Sequence, residues 1–121
     1  MQKVVPALRV RAYSASGPFY EKLGFKEQWI HRFGTQFPVF ASVACDGMRI
    51  FLTEHTGDCQ FGGLVHFYVP DVDASHALFV ERGVPITEAP SNSISPDMRH
   101  MIVTDPDGNR LSFITLSGGK A

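Results

Sequence analysis

Two stretches of this chain are near-copies of one another. Cys45-Asp46-Gly47-Met48-Arg49-Ile50-Phe51-Leu52-Thr53 and Asp105-Pro106-Asp107-Gly108-Asn109-Arg110-Leu111-Ser112-Phe113-Ile114-Thr115 each carry Asp-Gly-x-Arg and then an apolar, β-prone run. This is the chemistry of a tight turn feeding a strand. Gly supplies a positive-φ position, and Pro106 pre-sets the second turn. A weaker echo precedes each copy. Phe19-Tyr20-Glu21-Lys22-Leu23-Gly24-Phe25 resembles Phe79-Val80-Glu81-Arg82-Gly83-Val84 once Leu23 is skipped. Both read as apolar-acid-base helix ends closed by a glycine suited to a left-handed cap. The matched pieces keep their order at an offset of about sixty residues, which points to an internal duplication. A duplicated chain must fold as two like modules.

Read in order, the first copy opens with a strand over Val4 to Val10, irregular at Pro6, which has no N–H to donate. Ser14 or Ser16 is positioned to cap a first helix, with Pro18 in its first turn and Phe19, Tyr20 and Leu23 on its apolar side. Strands follow over Phe25 to Phe33, with Trp29 at the centre, over Pro38 to Cys45, and over Met48 to Glu54 across an Asp46-Gly47 hairpin. Residues 55 to 63, rich in glycine and polar residues, read as a linker.

The second copy repeats the plan. A strand covers Leu64 to Val69. Asp71 or Asp73 caps a helix running to Arg82 with Ala74, Ala77 and Leu78 on one side. A strand ends near Ala89, with Val84 held extended by Pro85. Residues 90 to 97, rich in Pro, Ser and Asn, are expected to form a long loop. Strands at Met98 to Thr104 and Asn109 to Leu116 complete it, and residues 117 to 121 are expected to be a disordered tail. The expectation is one domain over 1–121, with β-α-β-β-β modules at about 4–54 and 64–116.

Charge and composition exclude some partners. The net charge is −1 with no basic run, which argues against nucleic acid and membrane surfaces. No run approaches the ~18 apolar residues of a membrane span, and Met1-Gln2-Lys3 leads straight into a strand, so a cytoplasmic location is expected. Cys45 and Cys59 are not spaced as Cys-x-x-Cys and read as free thiols. Neither sits in surroundings that would activate a nucleophile. No Gly-x-Ser-x-Gly elbow, phosphate loop or dinucleotide motif occurs.

The two modules, the Phe-Tyr-x-x-Leu-Gly-Phe helix end and the Asp-Pro-Asp-Gly-Asn turn together resemble the glyoxalase/bleomycin resistance/extradiol dioxygenase superfamily, also called vicinal oxygen chelate proteins. Val5-Pro6-Ala7-Leu8 and the Asp-Pro-Asp-Gly-Asn turn look most like the bleomycin-resistance branch. The resemblance implies an α+β fold in which tandem βαβββ modules form a cupped mixed sheet around a small-molecule cavity. Metal-dependent members place four ligands there, a His or Gln, a Glu, a His and a Glu. The matching positions here are Val5, Phe51, Leu64 and Ser112. A slip must be by two residues to keep the face, and it reaches Ala7, Thr53, His66 and Ile114. Glu54 has the opposite parity. Only His66 is a metal donor, and a catalytic site needs three protein ligands. No metal and no other cofactor is therefore expected.

Of His31, His55, His66, His76 and His100, no two have metal-helix spacing. His31 and His100 read as strand packing or solvent-facing, and His76 as surface. His66 is the one placed for a ligand contact. The expected ligand-binding residues are Trp29, Phe40, Phe51, His66, Tyr68, Met98 and Ser112, an apolar and aromatic set with a few polar groups. The expected function is non-catalytic sequestration of a small hydrophobic or aromatic, antibiotic-like molecule by a homodimer. The chain's near-neutral charge gives weak electrostatic capture of a cationic drug. The competing expectations are a metal-dependent lyase, isomerase or dioxygenase with a site displaced onto His66, and a filled module that serves only as an interaction partner.

Overall fold

The computed structural model describes residues 2–117, which form two compact units. Within these residues, the first unit runs from residue 2 to Gly63 together with Asp105–Asn109; the second is Leu64–Thr104 and residues 110 to 117. Unit 1 contains β1 (Ala7–Arg9), α1 (Tyr13–Lys22), β2 (Lys26–Arg32), β3 (Val39–Cys45) and β4 (Met48–Thr53). Its sheet order is β1-β4-β3-β2, with β1 parallel to β4 and the other pairs antiparallel. Unit 2 contains β5 (Leu64–Tyr68), α2 (Val72–Glu81), β6 (Glu88–Ser95), β7 (Met98–Thr104) and β8 (Arg110–Leu116). Its order, β5-β8-β7-β6, repeats that of unit 1 with the same directions. The duplication read from the turns is therefore a duplication of topology.

Gly24 and Gly83 follow the helix ends with φ of 101° and 78°, the left-handed conformation that lets a chain leave a helix. In the Asp46-Gly47 turn both residues have positive φ, 49° and 82°, as a two-residue type I′ hairpin requires.

One face of each sheet is packed under its helix. In unit 1, Leu8, Leu52 and Ala41 lie in one register row and are buried, as are Val43 and Ile50. Tyr20, Leu23 and Phe25 complete that core. In unit 2 the Phe113 ring lies 5.0 Å from Phe67 and 5.2 Å from Phe79. Burying each such ring contributes about 1.5–3 kcal/mol.

Several local expectations need correction. Neither Ser14 nor Ser16 caps α1. The helix begins earlier, its N-cap Ala12 makes no side-chain bond, and Glu54 accepts the Tyr13 N–H at 2.7 Å instead. Pro18 consequently falls in the second turn. Ser16 is buried and donates to Asp107. The first strand is only Ala7–Arg9, because Pro6 cannot donate to the ladder; its carbonyl still accepts the Phe51 N–H.

Helix α2, capped by Asp71, buries Val72 and Phe79, while Ala74, Ala77 and Leu78 face outward. Residues 90 to 95 are strand rather than loop, and only Pro96-Asp97 forms a turn. β6 reaches Ser95 as an edge strand with two register shifts, and an edge with bulges tolerates Pro90 and so many polar residues. Ser117 donates its N–H to Asp97; the rest of the expected tail, residues 118 to 121, lies outside the described residues.

Candidate functional site

The face of the unit 1 sheet opposite α1 is built from two register rows. One runs Ala7, Phe51, Ser42 and Trp29; the next runs Arg9, Thr53, Phe40 and His31. Strand alternation puts three large rings on this face, and they touch. Trp29 and Phe40 are stacked 6.0 Å apart with planes 14° from parallel. Phe51 meets Phe40 at 5.1 Å and Trp29 at 5.6 Å. The platform continues along β2 and just past it, where the Phe33 ring lies edge-on to His31 at 4.5 Å and to His55 at 6.0 Å.

Trp29, His31, Phe33, Phe40 and His55 line an open cavity of about 720 Å³, with Ile30 and Asp58 completing the walls. Trp29 is 42% exposed and Phe33 is 73% exposed. Rings this exposed are poorly explained as core filling, and adjacent exposed apolar side chains mark a binding surface.

Of the cavity's polar groups, His31 comes from β2, while His55 and Asp58 come from the linker, which is stitched down onto unit 1. The Thr53 hydroxyl donates to Asp58 Oδ2 at 2.7 Å, and Arg9 Nε donates to the His55 carbonyl at 3.0 Å. The Phe61 ring packs against two guanidinium groups, with Arg9 Cζ at 4.5 Å and Arg11 Cζ at 4.7 Å from its centre. Gly63 donates its N–H to Asn109 Oδ1. His55 and Asp58 are thereby held as walls.

Of the expected ligand-binding residues, Trp29 and Phe40 line this cavity and Phe51 backs them. His66, Tyr68, Met98 and Ser112 belong to unit 2. There Ser112 is buried directly opposite His66, His66 and Tyr68 are exposed on β5, and Met98 is half-buried at the start of β7. Ile30, Phe33, His55 and Asp58 were not anticipated, and His31 was read as strand packing or solvent-facing. The spacing Trp29, His31, Phe33 was the available signal, since alternate residues of a strand share a face. Nothing local marked His55 and Asp58, which arrive through the linker's tertiary contacts.

Matching Arg49 to Arg110 makes Ser112 the counterpart of Phe51 and Ile114 that of Thr53. The ladders then pair Phe40 with His100 and Trp29 with Glu88 as equivalents. Where unit 1 stacks two rings, unit 2 sets an imidazole 3.8 Å from a carboxylate. The aromatic platform is a property of the first copy alone.

The residues do not fit a catalytic metal. Ala7 stands beside Phe51 and His66 beside Ser112, so these positions offer one imidazole and one hydroxyl. Among the described residues no three His, Cys, Asp or Glu side chains come together to hold an ion. Glu54, displaced by one residue, gives both oxygens to backbone N–H groups, of Tyr13 at 2.7 Å and Val39 at 2.9 Å. Cys59 is no better as a nucleophile. Burial, and then the Asp58 charge, raise its thiol pKa, against a smaller lowering by Arg9.

The sequence model of one family, described as "Glyoxalase superfamily protein", matches residues 1–120. No curated protein matches the chain in sequence. Among solved structures, the chain is similar to TnmS3, an antibiotic-binding protein from Streptomyces sp. CB03234. The two are 25% identical with a TM-score of 0.76, over 97% of this chain and 98% of that one. A bleomycin resistance determinant encoded on transposon Tn5 superposes with a TM-score of 0.76 at 19% identity, over 96% of this chain and 98% of that one. A bleomycin-binding protein complexed with bleomycin gives 0.75 at 19% identity, over 95% and 98%. No helix among the described residues is long and apolar enough to cross a membrane.

Proposed function

This chain belongs to the glyoxalase superfamily, and on that premise we propose that it is a small-molecule binding protein that sequesters its ligand without chemical change. The observation that carries the reading is the ring platform of Trp29, Phe40 and Phe51. Its Phe51 stands where the superfamily's metal-dependent members, by resemblance, place a carboxylate donor. A flat, largely apolar ligand gains most there. It covers exposed rings and adds offset stacking, worth about 0.5–1.5 kcal/mol per ring pair beyond burial. His31, His55 and Asp58 supply polar groups at the rim that would orient it.

The likeness to antibiotic-binding proteins supports an antibiotic-like ligand and a role in resistance. The family match over residues 1–120 supports one functional domain. The exposed edge strands β2 and β6 favour a homodimer, since edges are stabilised by being paired or covered. The free thiols Cys45 and Cys59 suit the cytoplasm. A lyase, isomerase or dioxygenase reading needs a metal that this donor set does not fit.

The test uses the chain's single tryptophan. A panel of flat polycyclic aromatics is titrated while Trp29 emission is followed, and the bound compound is then recovered and identified. Saturable quenching at one compound per chain, unaffected by a chelator, with the compound recovered intact, is expected. A chemically altered compound, or emission that never responds, would overturn the reading.

A further inference from the structure

We propose that unit 1 carries a second site, for a small oxyanion such as a phosphate or carboxylate group, between Arg11 and Arg32. A separate cavity of about 450 Å³ is lined by Arg11, Arg32, Thr35, Gln36, Phe37, Pro38 and Glu54. It shares no lining residue with the aromatic cavity. Arg32 follows His31 on β2, and strand alternation turns it to the other face.

The guanidinium groups are held in place with their binding edges free. Arg11 uses Nη1 on Asp107 Oδ1 at 3.4 Å and stacks on Phe61. Arg32 uses Nη1 on the Thr35 carbonyl at 3.3 Å. Among the described residues the Nε and Nη2 groups of both arginines have no acceptor. That edge is the planar fork that takes a carboxylate or phosphate through two parallel hydrogen bonds.

The nearby carboxylates are already engaged. Glu54 accepts two backbone N–H groups. Asp107 Oδ1 accepts Arg11, and its Oδ2 accepts Ser16. Their charges lower the local potential without occupying the forks. The side chains of Thr35 and Gln36 line the same cavity and add donors of the right kind.

The test is a phosphate titration of the intact protein, followed through the Arg Nε–H resonances by ¹H–¹⁵N NMR, with chloride at matched ionic strength as reference. Phosphate should shift the Arg11 and Arg32 signals along one saturable curve that chloride does not reproduce. Acetate in the same titration distinguishes a carboxylate preference from a phosphate one. Arg32→Lys and, separately, Arg11→Lys keep the charge and lose the fork. Each should weaken phosphate binding by about fivefold or more, with Trp29 emission and circular dichroism confirming the fold. Equal shifts with chloride, or lysine variants that bind phosphate as tightly as the parent, would overturn the site.

Discussion

The Tyr20 hydroxyl donates a 2.7 Å hydrogen bond to Asp105 Oδ2, joining α1 to the turn that precedes β8. Both side chains are buried. Asp105 Oδ2 also accepts from Asn109 Nδ2, while Oδ1 accepts the N–H groups of Asp107 and Asn109. Asn109 passes the link on to the Arg9 carbonyl. The phenol is thus one corner of a charged, satisfied network. Tyr20→Phe should destabilise the protein by about 1.5–3 kcal/mol, measured by urea unfolding.

The same bond sets an alkaline limit. Burial, and then the Asp105 charge, raise the Tyr20 pKa well above its ordinary value. A pKa raised in the folded state means that the contribution is whole below the unfolded value, near pH 10, and is lost as pH rises above it. Unfolding free energy should therefore fall above about pH 10, and the fall should be shallower in Tyr20→Phe. Tyr13, raised by burial and by Glu27, adds a smaller dependence of the same sign.

Glu54 does the work of an N-cap from outside the helix. Glu54→Ala leaves the Tyr13 and Val39 N–H groups without their acceptor and should cost about 1–2 kcal/mol. Ser14→Ala should cost under about 0.5 kcal/mol, because Ser14 is exposed and caps nothing. Thermal unfolding of the two variants separates these outcomes.

Phe79 and Leu78 are neighbours on α2 with opposite fates. Phe79→Ala should cost about 3–5 kcal/mol, since it empties the space against Phe113. Leu78→Ala removes a half-exposed side chain and should stay within about 0.5 kcal/mol. Reversal of that order in chemical unfolding would place the wrong face of α2 in the core.

Trp29→Ala should weaken binding of a flat aromatic ligand at least ~10-fold, because stacking adds to burial. It should also lower stability by about 1–3 kcal/mol, since Trp29 packs against both Phe40 and Phe51. Calorimetric titration and a melting curve on the same sample measure both.

What was legible in the residues was the part encoded locally. Gly24, Gly83, Asp46-Gly47 and Asp71 announce helix ends, a hairpin and a cap by their own chemistry, and the duplicated turn made the repeated topology readable. Trp29, Phe40 and Phe51 were recoverable because alternation and the hairpin place them on one face. Glu54 as a cap was not readable, because the bond joins residues far apart in the chain. Which face of α2 is buried was not readable, because Ala74, Ala77 and Leu78 form an apolar stripe as plausible as Val72 and Phe79. Residues 90 to 97 looked like a loop because an edge strand needs only one set of ladder bonds. His55 and Asp58 enter the cavity through the docking of a linker, which no local pattern encodes.

The Asp105–Asn109 turn, made late in translation, belongs to the unit formed by the beginning of the chain. During synthesis the first copy therefore waits. Its Tyr20 hydroxyl, its Arg9 carbonyl and the Gly63 amide stay without their native partners until Asn109 has left the ribosome. A chain cut after the first repeat would therefore hold a unit whose closing turn is missing.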